Sequence, residues 1–305
     1  MDLGNKEIIV IGAGKVAYSI TSALTKIGNR PGLIISRKIN SAKKLAAGYG
    51  IKNYSDILQI DAVKSCLCLL SVPDSEIEKT AQAISKLKIN HKKNFYIHFS
   101  GSEDLTSLSS LTGKGGNTGS FHLMQTFPAR RACKINNSYV GLEFDNSQTK
   151  SLLHKLAAGL KLNPIEIPKG GKTLYHLTGV FISNFLVSNF YIAEEIFEQS
   201  KIKGISPFEM LEPLLMSTIA NIKKSGVTES LSGPVQRGDI ITVRKHVETL
   251  LKSLKAKKIN LTTFLSYLIQ SLTLLKLMEL KDGELSAKHE QIMHMLKLEL
   301  ERLFI

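Results

Sequence analysis

Residues Glu7–Ala17 read EIIVIGAGKVA, and this stretch decides the fold. Four apolar residues, Ile8 to Ile11, run straight into Gly12-Ala13-Gly14-Lys15-Val16-Ala17, and a helical pattern follows from Val16 to about Ile27. Strand, glycine turn and helix in that order predict a dinucleotide-binding βαβ unit, with Ala17 in place of the third glycine. Gly12 permits the tight turn. Gly14 lets a pyrophosphate approach the backbone at a helix N-terminus, where free N–H groups and the dipole favour an anion. Gly12, Ala13, Gly14, Lys15 and Val16 are therefore the first candidate cofactor residues.

Outward from this unit, strands and helices alternate. Further strands are expected at Gly32–Ser36, Ser65–Ser71, Asn94–His98, Thr118–His122, Tyr139–Phe144 and Pro164–Ile167, with helices at Ser41–Tyr49, Ser75–Leu87 and Thr149–Leu160. That alternation predicts a mostly parallel sheet covered on both faces. After Pro168-Lys169-Gly170-Gly171 the pattern is helical only, over Thr173–Ser200, Pro207–Lys224, Ile240–Leu254, Leu261–Glu279 and Leu285–Phe304. The expected organisation is α/β: a Rossmann-type domain over 1–168 and an all-helical domain over 169–305.

The bulk properties bound the function. The 305 residues are 43% hydrophobic and 22% charged, as in a soluble globular protein. The three cysteines cannot make a disulfide framework, and Cys66 and Cys68 point to one face of a strand, which suggests a reducing, cytoplasmic setting. No signal peptide is expected ahead of the first strand. The most apolar run, Leu174–Phe197, is broken by His176, Asn184, Asn189, Glu194 and Glu195, so no membrane span is expected. The net charge of +14 comes from lysines spread along the chain without interleaved aromatics, which reads as solvated surface and not as a nucleic-acid site. No metal is expected.

Cofactor choice turns on the end of the second strand. An acidic residue there binds the ribose hydroxyls of NAD. Here the strand ends Ser36-Arg37-Lys38, without a nearby acid. Arg37 can clamp a 2′-phosphate and Ser36 can donate to it, so NADP is expected over NAD. Other candidates lie at the C-terminal strand ends, where ligands bind in open α/β sheets: Val72 and Pro73, then His98 and Ser100, then His122. On the first helix of the second domain, Lys172, His176, Ser183 and Asn184 share one stripe at 3.6 residues per turn. That polar stripe faces either a ligand or another helix. In the loop Ser232–Asp239, Arg237 is placed to hold a carboxylate, while Asp239 would cap the next helix.

These residues together resemble a known family, with an N-terminal Rossmann domain and a helical C-terminal domain of unknown function 2520. The resemblance rests on Ile11–Ala17, Leu70–Ile77, His98–Ser102, Gly119–Phe127, Leu174–Asn184 and Gly233–Asp239, and spans nearly the whole chain. It departs at Leu123, where a proline would follow the histidine. The family resembles the 6-phosphogluconate dehydrogenase-like group, which includes pyrroline-5-carboxylate reductase, ketopantoate reductase and the β-hydroxyacid dehydrogenases. The last carry a glycine-rich turn, a Lys, and an Asn four residues later. Gly170-Gly171-Lys172 matches, and His176 stands at the Asn position. The resemblance implies an NADP-dependent oxidoreductase that reduces a small oxo acid such as ketopantoate, or an imine, in a cleft between domains. Lys172 or His176 would give the proton, Asn184 and Ser100 would position the carbonyl, and His122 and Arg237 would bind substrate. It also implies a homodimer built by the helical domain. The alternative is a non-catalytic NADP(H) sensor.

Overall fold

The computed structural model describes residues 6–60 and 65–304. The chain packs as two compact units, Met1–Asn184 and Phe185–Ile305. The first unit runs β1 (Glu7–Ile11), α1 (Lys15–Lys26), β2 (Leu33–Ile35), α2 (Ile39–Gly48), β3 (Asn53–Ser55), β4 (Cys66–Leu70), α3 (Asp74–Ser85), β5 (Phe95–His98), α4 (Ser109–Thr112), β6 (Asn117–Leu123), β7 (Tyr139–Phe144), α5 (Ser147–Gly159), β8 (Asn163–Glu166) and α6 (Lys172–Gly179). Among the described residues one sheet holds eight strands in the order β3-β2-β1-β4-β5-β6-β7-β8. Every pairing is parallel except β6 with β7.

The strands read as near-continuous apolar runs because both faces are covered. On β1, Ile8 and Val10 enter the core beneath α1 and α5, while Ile9 and Ile11 enter the core beneath α3. Cys66 and Cys68 both belong to the second core, as their spacing requires. β3 was not expected. Asn-Tyr-Ser has no apolar run, and only its pairing with Leu33–Ile35 makes it a strand. Leu123 extends β6 by pairing with Val140, in the position where the family resemblance puts a proline.

The second unit contains α7 (Phe185–Ser200), α8 (Pro207–Glu229), α9 (Ile240–Lys255), α10 (Leu261–Asp282) and α11 (Ala287–Phe304). Ser206 and Glu209 close a capping box at the start of α8, and Asp239 accepts from the Thr242 N–H to cap α9. Val243, Phe264, Leu268, Ile292 and Leu296 make its core. α7 and α8 bury no residue.

Three expectations change. The strands end near residue 168, as read, but α6 packs with the sheet, so the compact unit extends to Asn184. Residues Val180–Asn184 form a π-helical segment, whose wider turn breaks the 3.6 periodicity. Lys172, before that segment, is buried and His176 half-buried; beyond the break Ser183 is half-buried, whereas Asn184 is exposed. By length and composition, Lys172–Ser200 and Leu261–Asp282 are apolar enough to cross a membrane, because their leucine, isoleucine, valine and phenylalanine outweigh the polar interruptions.

Candidate active site

Gly12 sits where β1, β2 and β4 end together. Its N–H donates to the Ile35 carbonyl at 2.7 Å, and Ser71 N–H donates to Ile11 at 2.7 Å. Its φ is +108°, and an added Cβ would overlap the Ser71 carbonyl oxygen. The fold itself therefore demands glycine here. Gly14 is different. Its φ is −83°, and an added Cβ would meet only Ser71 O at an ordinary 3.6 Å. No packing requires glycine at 14; what its missing Cβ leaves open is the approach to the start of α1. That start has no side-chain cap and no acidic residue in its first turn. Uncapped N–H groups, the dipole and Lys15 make a cradle that could hold a pyrophosphate.

The cradle opens into a cavity of about 830 Å³. Gly12, Ala13, Gly14, Lys15, Val16, Ser36, Arg37, Val72, Pro73 and Ser100 all line it. Of the expected cofactor residues only His98 does not. Arg37 Nη1 donates to Glu76 Oε2 at 2.9 Å, so the guanidinium is paired across the cavity with α3. Phe127 and Arg130 also line the cavity. They come from the loop after β6, which is tied to α1 by Cys133 N–H donating to Ser19 Oγ at 3.0 Å.

Beyond Ser100 lies a cluster of charged and imidazole groups. Lys172 is 2% exposed. Its Nζ donates to Glu143 Oε2 at 2.7 Å and to Ser120 Oγ. Burial pulls the ammonium below the ordinary lysine range, and Glu143 opposes that shift. His122 Nδ1 lies 3.2 Å from the Tyr175 hydroxyl, and its ring meets His176 edge-on with centroids 5.7 Å apart. Gly101 makes this approach possible: an added Cβ would overlap His176 and stand 2.7 Å from His122 Nε2. His98 is fully buried, and its Nδ1 accepts from Ser100 N–H at 3.2 Å, which puts the neutral ring's proton on the unpartnered Nε2. Ser100 Oγ accepts from the N–H groups of Ser102 and Glu103; because the Ser102 hydroxyl donates to Asp74 Oδ2 at 3.0 Å, the Ser100 hydroxyl donates in turn to Ser102 Oγ, over a long 3.4 Å.

Glu143, Ser120 and Tyr175 escaped the sequence reading. Signals for them exist. Ser120 and His122 alternate onto one face of β6, a glutamate stands inside an otherwise buried strand, and Tyr175 lies one turn after Lys172. What brings Glu143 opposite Ser120 is the antiparallel register of β6 and β7. Arg237 lies in the second unit, exposed, on a loop whose Asp239 caps α9 as one reading allowed.

Burial, then the Lys172 charge, holds His98 down at about 3 and His122 at about 4. Both values lie below the ordinary imidazole value of about 6.5, so the unfolded chain binds more protons and stability falls as pH drops from there towards 4. At pH 5 each imidazole should cost about 2 kcal/mol relative to pH 7.5. Urea unfolding at the two pH values measures this, and His122→Asn should remove part of the difference. Equal stability at both would contradict the buried neutral state.

The β3-β2-β1-β4-β5-β6 order, with a glycine cradle at the end of β1, is that of a dinucleotide fold. Residues 4–122 match the family described as Rossmann-like domain, and residues 138–262 match the domain of unknown function 2520. No curated protein matches the chain in sequence. Among solved structures, this two-domain chain is similar to a Thermotoga maritima protein at 25% identity and a TM-score of 0.68, over 90% of this chain and 99% of the other. A Bacteroides fragilis protein assigned as an NADP oxidoreductase matches at 22% identity and a TM-score of 0.71, over 88% and 97%. A reductive aminase of Aspergillus terreus, solved with NADPH and ethyl-5-oxohexanoate, shares the fold at 11% identity and a TM-score of 0.59, over 98% and 94%.

Proposed function

We propose that this protein is an NADP-dependent oxidoreductase that reduces the carbonyl or imine carbon of a small acid. One observation carries the reading. The cavity that opens at the glycine cradle reaches Phe99 and Ser100, and the next residue, Gly101, abuts His122 and His176. A cofactor-sized space and a set of proton-handling groups thus share one loop. NADPH, when bound, supplies the hydride. The electron pair displaced from the C=O or C=N bond goes to oxygen or nitrogen, which takes a proton from His176 or Lys172. Ser100, whose hydroxyl makes only a long 3.4 Å bond to Ser102 Oγ, turns its hydrogen to that atom and orients it. Ser36 and Arg37 favour the 2′-phosphate, which supports NADP over NAD. That the similar solved structures include an assigned NADP oxidoreductase and a reductive aminase bound to NADPH supports the same class.

The helical unit supports a homodimer. Val187 and Tyr191 on α7, with Leu214, Met216, Ile219 and Ile222 on α8, are exposed apolar side chains on helices that bury nothing. A second copy offers the same faces in return.

The full-length chain tests the whole reading. Titration with NADPH and NADH should show tighter binding of NADPH. NADPH oxidation should appear with one of a panel of 2-oxo acids and cyclic imines, and light scattering should give two chains per particle. Tighter NADH binding would overturn the cofactor choice. Tight NADPH binding without turnover across the panel would favour a sensor, and a single-chain mass would remove the dimer.

A further inference from the structure

The end of β2 carries no acid, yet a carboxylate reaches the same cavity from another element. Glu76 stands in the first turn of α3, where the helix dipole favours a negative charge. Its Oε2 accepts from Arg37 Nη1 at 2.9 Å, and its Oε1 lies 3.8 Å from Lys79 Nζ. The glutamate side chain is 23% exposed and the arginine side chain 79%, so the carboxylate is the fixed partner and the guanidinium the mobile one. Arg37, Glu76 and Lys79 all line the cavity.

The two nicotinamide cofactors make opposite demands on such a pair. A 2′-phosphate needs the guanidinium and is repelled by the carboxylate. A ribose diol has O–H donors and needs an acceptor, the service that an acid at the end of the second strand gives in NAD sites. We propose that Glu76 sets the cofactor ratio of this protein: its carboxylate gives NADH a hold and competes with the 2′-phosphate of NADPH for Arg37. The proposal rests on the dinucleotide reading above and deepens it. It places discrimination on α3 as well as at the end of β2.

The test is the Glu76→Gln variant of the full chain, titrated with NADPH and with NADH at fixed ionic strength. A pair this exposed adds little to folding, so the variant keeps its structure. NADPH should bind more tightly and NADH more weakly, raising the NADPH-to-NADH affinity ratio by about tenfold. Asp56→Asn, which removes another carboxylate that lines the cavity but has no ion pair with Arg37, should leave the ratio within about twofold of the parent. An unchanged ratio in Glu76→Gln, a parallel loss of both cofactors, or a shift confined to Asp56→Asn overturns the proposal and leaves the dinucleotide reading standing. A parent protein that binds neither cofactor overturns both.

Discussion

Replacing Lys172 with methionine should destabilise the first unit by about 3–5 kcal/mol, because it strands the Glu143 carboxylate, itself only 7% exposed, without a counter-charge. An ion pair at 2.7 Å inside the fold contributes little net stability when intact, since desolvation offsets the attraction. Losing one member is what costs. The double variant Lys172→Met/Glu143→Leu should therefore recover most of the loss, since it replaces both charges by apolar groups of similar volume. Thermal unfolding measures both, and a single variant within about 1 kcal/mol of the parent would show that Glu143 is not held by Lys172. The same pair of proteins separates two roles of this lysine. If Lys172 gives the proton, the double variant is folded, binds NADPH, and turns nothing over. If His176 gives it, the double variant keeps measurable NADPH oxidation while His176→Ala loses it.

The two glycines of the first turn should fail in opposite ways. Gly12→Ala puts a Cβ 2.5 Å from the Ser71 carbonyl carbon at a φ of +108°. Either β4 must shift or the turn must reopen, at a cost of about 4 kcal/mol or more. Gly14→Val meets no such obstacle, since its backbone angles suit any residue, and it should keep stability within about 1 kcal/mol. It should instead weaken NADPH and NADH alike by about a hundredfold or more, because the side chain fills the place of the pyrophosphate. Thermal unfolding together with cofactor titration reads both outcomes. A Gly14→Val protein that binds NADPH as the parent does would remove the phosphate cradle from the reading.

The glycine turn was legible because it is local. Strand, turn and helix lie within Glu7–Lys26, and the φ of Gly12 follows from the turn that joins them. The other strand ends were legible for a similar reason, since apolar runs stop where the chain meets the ligand edge. His176 and Lys172 were found through helical spacing, which holds over the first turns of α6. The same spacing failed at Asn184, where the π-helical segment adds a residue to the turn. Arg37 was visible as a residue at the end of β2, but its partner was not, because Glu76 arrives from a helix 39 positions away.

By itself, then, the order of residues determined the class of fold, the glycine turn and the change from sheet to helices, all of which depend on neighbours in the chain. Only the tertiary structure decided that Lys172 is a buried cation paired with Glu143, that Gly101 admits two imidazoles side by side, and that a carboxylate faces Arg37. Each of these joins groups from separate elements. They meet through strand register and helix packing, and no periodicity in the sequence records either.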